Sequence, residues 1–266
     1  MRERAAKWTS LILWAGLLVF GGIGGLSAGE TWSPELEAFL AKAKVVSRED
    51  IGTGITKPEK VTLELRGETH QAVFKTVDQE SDSWRYEVAA YRMDRLLDIG
   101  MVPPTVARSL KGRKGCLQLW VEGATLADYE GIPPDMDLWH QQISVMWLFD
   151  DLIANIDRHL NNAVVSPHSR LQLIDNSKTF RYHDSLLNNL NGNPSGTSAQ
   201  YWLVDFETTP APYPTSYPPE LLERLRSVSE KELIQAMGSL IPGPQRRRLL
   251  LRRELILDRL RELGVN

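Results

Sequence analysis

Apolar positions along this 266-residue chain follow two periods, alternation dominating between Val45 and Val121 and helical spacing dominating from Asp137 onward. Leu36, Phe39, Leu40 and Ala43 recur at helical spacing behind Ser33-Pro34, which predicts a short helix. From Val45 to Lys75 the pattern is β. Val61, Leu63 and Leu65 alternate with Thr62, Glu64 and Arg66, Gly67-Glu68 marks a turn, and Gln71 to Phe74 resumes a strand ahead of Lys75. Asp82 and Ser83 are cap candidates for a helix running to about Asp98, which Gly100 ends and Pro103-Pro104 forbids from continuing. Thr105–Arg108 and Cys116–Val121 predict a further strand pair around Lys111-Gly112-Arg113.

From Asp137 the period changes. Leu138, Ile143, Met146, Phe149, Leu152, Ile153 and Ile156 predict one long buried helix. Two short strands, Ala163–Ser166 and Leu171–Ile174, are expected around Pro167-His168-Ser169. Residues 184–200, rich in Asn, Gly and Ser, read as a loop, with an extended piece at 201–205 and a Pro-rich connection at 210–219. Two or three helices should close the chain, one opened by a Ser229/Glu232 capping box and the last terminated by Gly264. The implied class is α+β, a small β-rich N-lobe at 30–122 followed by a mostly helical C-lobe at 123–266.

The first 29 residues stand apart. Arg2, Arg4 and Lys7 precede a nearly uncharged stretch from Trp8 to Gly29. Eighteen residues, Leu11–Ala28, are the least that spans a bilayer, and the same layout fits a signal peptide cleaved near Ala28. Gly21, Gly22, Gly24 and Gly25 suit the end of a signal peptide better than a spanning helix. Signal peptide or single anchor, the segment would meet the membrane or the export machinery, and the rest would lie on the non-cytoplasmic side.

Composition narrows the chemistry. A net charge of −3 gives no basic surface for tracking phosphates, so no nucleic-acid partner is expected. The single cysteine, Cys116, excludes an intramolecular disulfide and reads as a buried apolar residue beside Leu117. Five histidines without HExxH spacing give a zinc hydrolase no support. The arginines at 246–248, 252 and 253 read as one solvated helix face, with a lipid-headgroup role as the minor alternative.

The informative stretch is Asn155-Ile156-Asp157-Arg158-His159-Leu160-Asn161-Asn162, followed by Leu173-Ile174-Asp175. If the two short strands pair across a four-residue turn, Ala163 faces Ile174 and Asn162 faces Asp175. Opposed residues lie roughly 5 Å apart, so an amide oxygen and a carboxylate converge. Two oxygen ligands suit Mg²⁺, or Mn²⁺, which completes its shell with waters and substrate phosphates. Asp157, just ahead of the hairpin, is placed to accept a hydroxyl proton. Phosphoryl transfer also needs a cation on the non-transferred phosphates, and Lys75, with Glu87 twelve residues later on a helix, supplies one. Gly52 and Gly54 are candidates for a loop over the nucleotide, although two glycines taken alone read rather as a plain turn.

Asp157, Asn162 and Asp175 resemble the catalytic-loop and metal-binding spacing of protein kinases. The wording Asp157-Arg158-His159-x-x-Asn162 is similar to that of the atypical branch: phosphatidylinositol 3- and 4-kinases, HipA-type kinases and secretory-pathway kinases. Ile174-Asp175-Asn176 resembles the last group. The resemblance implies Asp157 as catalytic acid/base, Asn162 and Asp175 as metal ligands, Lys75 on the phosphates with Glu87 as its partner, and a hinge near Val121-Glu122. It implies ATP as co-substrate and a hydroxyl of a protein or lipid head group as acceptor. Asn176-Ser177 departs from the Phe-Gly that follows the metal Asp in many kinases. His159 reads as a brace for the loop, and Asp205, in Leu203-Val204-Asp205-Phe206, as a weaker rival to Asp175. Two further readings stand beside a kinase: a pseudokinase that only binds nucleotide, and a small-molecule phosphotransferase. The latter usually carries His-Gly where this chain has Asn155-Ile156.

Overall fold

The computed structural model describes residues 34–51, 58–182, 190 and 216–265. The N-terminal apolar segment, Gly52, Gly54, most of the 184–200 loop, the 201–205 piece with Asp205, and 210–215 lie outside the described residues.

Helix α1 (Pro34–Lys42) precedes strands β1 (Lys44–Asp50), β2 (Glu59–Leu65) and β3 (Glu68–Lys75), and all four follow the expected pattern. After two short bridging strands, β4 (Asp78–Gln79) and β5 (Asp82–Ser83), comes helix α2 (Trp84–Leu97). Ser83 caps it by accepting from Arg85 N at 3.1 Å. Its end is set by Asp98, left-handed at φ 56°, rather than by Gly100. Strands β6 (Thr105–Leu110) and β7 (Arg113–Leu119) complete an antiparallel sheet in the order β1-β2-β3-β7-β6. Phe39, Leu40, Val61, Leu63, Phe74 and Leu117 form a core between α1 and this sheet.

The helical region opens, after β8 (Ala124–Thr125), with α3 (Met136–Ile153). This helix stops short of the expected Ile156. Ala154 takes a left-handed φ of 51°, and Ile156 is 37% exposed on the loop beyond. A 3-10 turn (Leu160–Asn162) leads into β9 (Ala163–Val165), which pairs with β8 and with β10 (Leu171–Leu173). Helices α4 (Pro219–Ser227), α5 (Glu230–Met237) and α6 (Gly243–Glu262) close the described chain. The Ser229/Glu232 capping box is present, and Gly264, at φ 73°, follows the last helix. A larger core joins α2 to these helices, so α2 is seated in the helical region as well as against the sheet. Among the described residues no helix is long and apolar enough to cross a membrane.

The β9–β10 register is one residue tighter than expected, Ala163 facing Leu173 and Val165 facing Leu171. Ser166 N donates to Arg170 O at 2.9 Å, and Ser169 adopts φ 56°. The connection is therefore a three-residue loop with its last residue left-handed, and not a four-residue turn. The C-terminal arginines are not one solvated face. Arg252 is 1% exposed and donates from Nε to Leu152 O, Arg253 reaches Leu225 and Val228 carbonyls, and Arg246 those of Gly238 and Ile241. They tie helix ends together. Cys116 is buried, as expected, opposite Lys75.

Candidate active site

Lys75 ends β3 because Phe74 turns into the core and leaves the next side chain facing the space between the sheet and the helical region. Its Nζ donates to Glu87 Oε1 at 2.5 Å and lies 3.5 Å from Asp175 Oδ1. Glu87 is fully buried in the first turn of α2. Its other oxygen accepts from Asn176 N at 3.0 Å and Gln118 Nε2 at 3.5 Å. One carboxylate thus joins sheet, helix α2 and the segment after Asp175. Burial pulls the Lys75 ammonium's pKa down, but Glu87 and Asp175 outweigh it and hold the lysine above its ordinary value. Burial pushes Glu87 up against the pull of Lys75, while Lys75 keeps Asp175 below the usual carboxylate range.

The expected pairing of Asn162 with Asp175 does not form. Ile174, not Asp175, meets Asn162, its N–H donating to Asn162 O at 3.1 Å. Asp175 then takes a left-handed φ of 54°, and both side chains line one cavity of about 420 Å³ with Lys75. Asn162 Nδ2 donates to Asp157 O at 2.9 Å, which leaves its Oδ1 as the group open to a cation. No cluster of three or more His, Cys, Asp or Glu that could hold a metal occurs among the described residues. The amide-plus-carboxylate set fits a hard cation that brings waters and phosphates of its own. Trp120, Val121 and Gly123 line the far end of the cavity on the β7–β8 hinge. Glu122 is exposed and lines the opposite side of the hinge with His168 and Arg170.

Asp157 sits on the loop after α3, its N–H donating to Asn155 Oδ1 at 2.9 Å and its Oδ2 accepting from Lys178 Nζ at 2.7 Å. Arg158 is buried and forked onto Asp150 Oδ2 at 3.0 Å. It also donates to Asn162 O at 2.5 Å, Ile174 O at 2.8 Å and Asn176 Oδ1 at 2.7 Å. Burial pushes Asp150 up while Arg158 pulls it back. His159 braces the loop as expected, its Nδ1 accepting from Asn161 N at 3.3 Å.

Sequence reasoning missed Lys178, Asp150 and Asn155. An acid on the apolar run of α3 is a signal for Asp150, since a buried carboxylate demands a partner. Lys178 carries no spacing signal.

A five-stranded antiparallel sheet with a helix carrying the lysine's partner, a hinge, and a hairpin below it define a protein-kinase-like fold of α+β class. No family model matches the chain, and no curated protein matches it in sequence. Solved structures do match in fold. A hydra Fam20 solved with sugar aligns at TM-score 0.51 and 15% identity, over 85% of this chain and 87% of that one. The golgi casein kinase aligns at TM-score 0.53 and 13% identity over 86% and 74%. The Helicobacter pylori proinflammatory kinase CtkA aligns at TM-score 0.52 and 13% identity over 84% and 98%.

Proposed function

We propose that this chain is an ATP-dependent kinase that transfers the γ-phosphoryl group, with Mg²⁺ or Mn²⁺, to a hydroxyl of a protein or lipid head group. One observation carries the reading: Lys75 Nζ stands between Glu87 at 2.5 Å and Asp175 at 3.5 Å, at a cavity that Asn162 also lines. In this reading Lys75 binds the non-transferred phosphates and Glu87 fixes its ammonium. Asn162 and Asp175 hold the metal, which when bound neutralises charge on the phosphate oxygens. Asp157 orients the acceptor hydroxyl and takes its proton. The hinge at Val121–Gly123 borders the base. The Ile174-Asp175-Asn176 wording favours a protein acceptor, in keeping with the golgi casein kinase among the structural neighbours. The basic-then-apolar N-terminal segment supports a domain tethered to, or exported across, a membrane.

The test is γ-phosphate transfer by the full chain to itself and to generic protein and lipid acceptors, with Mg²⁺ or Mn²⁺, beside Asp157→Ala and Asp175→Ala. The expected result is transfer by the wild type that drops about 100-fold or more in each variant. Undiminished transfer in either variant contradicts the assignment of that residue. No metal-dependent nucleotide binding by the wild type contradicts the whole reading.

A further inference from the structure

Three residues past Asp175, the chain carries a lysine whose place is fixed more firmly than its exposure suggests. Lys178 is flanked by Asn176, Ser177, Thr179 and Phe180, all buried. The backbone on both sides is tied down. Ser83 N donates to Ser177 O at 2.9 Å, Thr179 Oγ1 to Asn176 O at 2.8 Å, and Phe180 N to Ile153 O at 2.5 Å. Between these anchors only the Lys178 side chain is 41% exposed, and it turns to Asp157, Nζ to Oδ2 at 2.7 Å. Asp82 and Asp175 add to the field of Asp157 at this ammonium. Phosphoryl transfer spreads negative charge over the transferring group, and a cation on its acceptor side would add to what Lys75 and a metal at Asn162 and Asp175 neutralise. Lys75 stands deep, held by Glu87; Lys178 stands beside the proton acceptor.

We infer that Lys178 is a further catalytic residue, a cation that contacts the γ-phosphate of bound ATP beside Asp157. The inference rests on the kinase reading above. The Lys178–Asp157 pair occupies Oδ2 and leaves Oδ1 for the acceptor's proton. The acceptor oxygen forms its bond to the γ-phosphorus as that phosphorus parts from the β,γ-bridging oxygen. The electron pair leaves with ADP, the acceptor's proton passes to Asp157, and the transferred group carries its charge against Lys178. An ordinary exposed ion pair is worth little and does not sense a phosphate. That contrast separates the two roles.

The experiment compares Lys178→Met and Lys178→Arg with wild type in the full chain. It measures affinity for Mg²⁺·ADP and for a non-hydrolysable Mg²⁺·ATP analogue, and kcat and KM for ATP. A γ-phosphate contact predicts that Lys178→Met weakens the ATP analogue about 10-fold, leaves ADP affinity unchanged, and lowers kcat about 100-fold, with Lys178→Arg recovering part of each. Unchanged ADP affinity also shows that the variant is folded. An unaltered ratio of ATP-analogue to ADP affinity overturns the inference, whether kcat falls or not. If wild type binds neither nucleotide, the kinase reading fails first and this role fails with it. If wild type binds both and only the Lys178 ratio is flat, the kinase reading survives.

Discussion

Arg158 shows what the Asp-Arg-His wording contributes physically. Its guanidinium holds Asp150 near the end of α3, the carbonyls of Asn162 and Ile174, and the Asn176 side chain. Those contacts join the loop bearing Asp157 to the strand end bearing Asp175, two pieces the hairpin alone leaves loosely related. A planar fork can serve several acceptors at once where a lysine ammonium cannot. Removing it leaves Asp150 buried without its partner, so Arg158→Ala is expected to lower stability by about 3–5 kcal/mol, read by chemical denaturation. A loss under about 1 kcal/mol would show that the fork is not what joins the two segments. At this scale the meeting of Lys75, Glu87, Asn162 and Asp175 was legible, because their spacing resembles that of kinases. Lys178 was not, since a lysine gains meaning there only from the buried residues that fix the chain on either side of it.

Element boundaries show a different limit. The periodicity of β1–β3 and of α2 located those elements, but the β9–β10 register depended on whether the loop held three residues or four. Hydrophobic alternation does not decide this, because Ala163, Val164 and Val165 are buried on both faces and either register satisfies them. Asp175 takes a left-handed φ, and both it and Asn162 line one cavity in the tighter register. The hinge has an analogous constraint at Gly123. There φ is 147°, and an added Cβ would stand 2.1 Å from Val165 O. That close approach is what lets β8 pair with β9 and seats the hinge on the hairpin. Gly123→Ala is expected to cost about 2 kcal/mol and to weaken nucleotide binding, because strain enters at the hinge itself. A variant with wild-type denaturation midpoint and affinity would contradict this.

At the scale of the molecule, the order of a β-rich region and a helical region was legible because one hydrophobic period dominates each. The seating of α2 was not, because its burial is shared. Glu87 lies fully buried, and residues on both sides of it enter the larger core with the C-terminal helices. The arginine run of α6 misled in the same way. Charge pattern counts cations but does not say which carbonyl each one reaches, and Arg252 and Arg253 reach across to α3 and α4. Glu87 links Lys75 to Asn176 N, so the sheet lysine and the segment after Asp175 are held together. The central claim is that Asn162 and Asp175 form the metal-binding side of a nucleotide cavity closed by Lys75. It is tested most directly by titrating Mn²⁺, followed by its electron paramagnetic resonance, into the full chain with a non-hydrolysable ATP analogue. The account predicts saturable Mn²⁺ binding that requires the analogue and weakens at least about 100-fold in Asp175→Ala. Equal binding by Asp175→Ala, or binding that ignores the nucleotide, would contradict it.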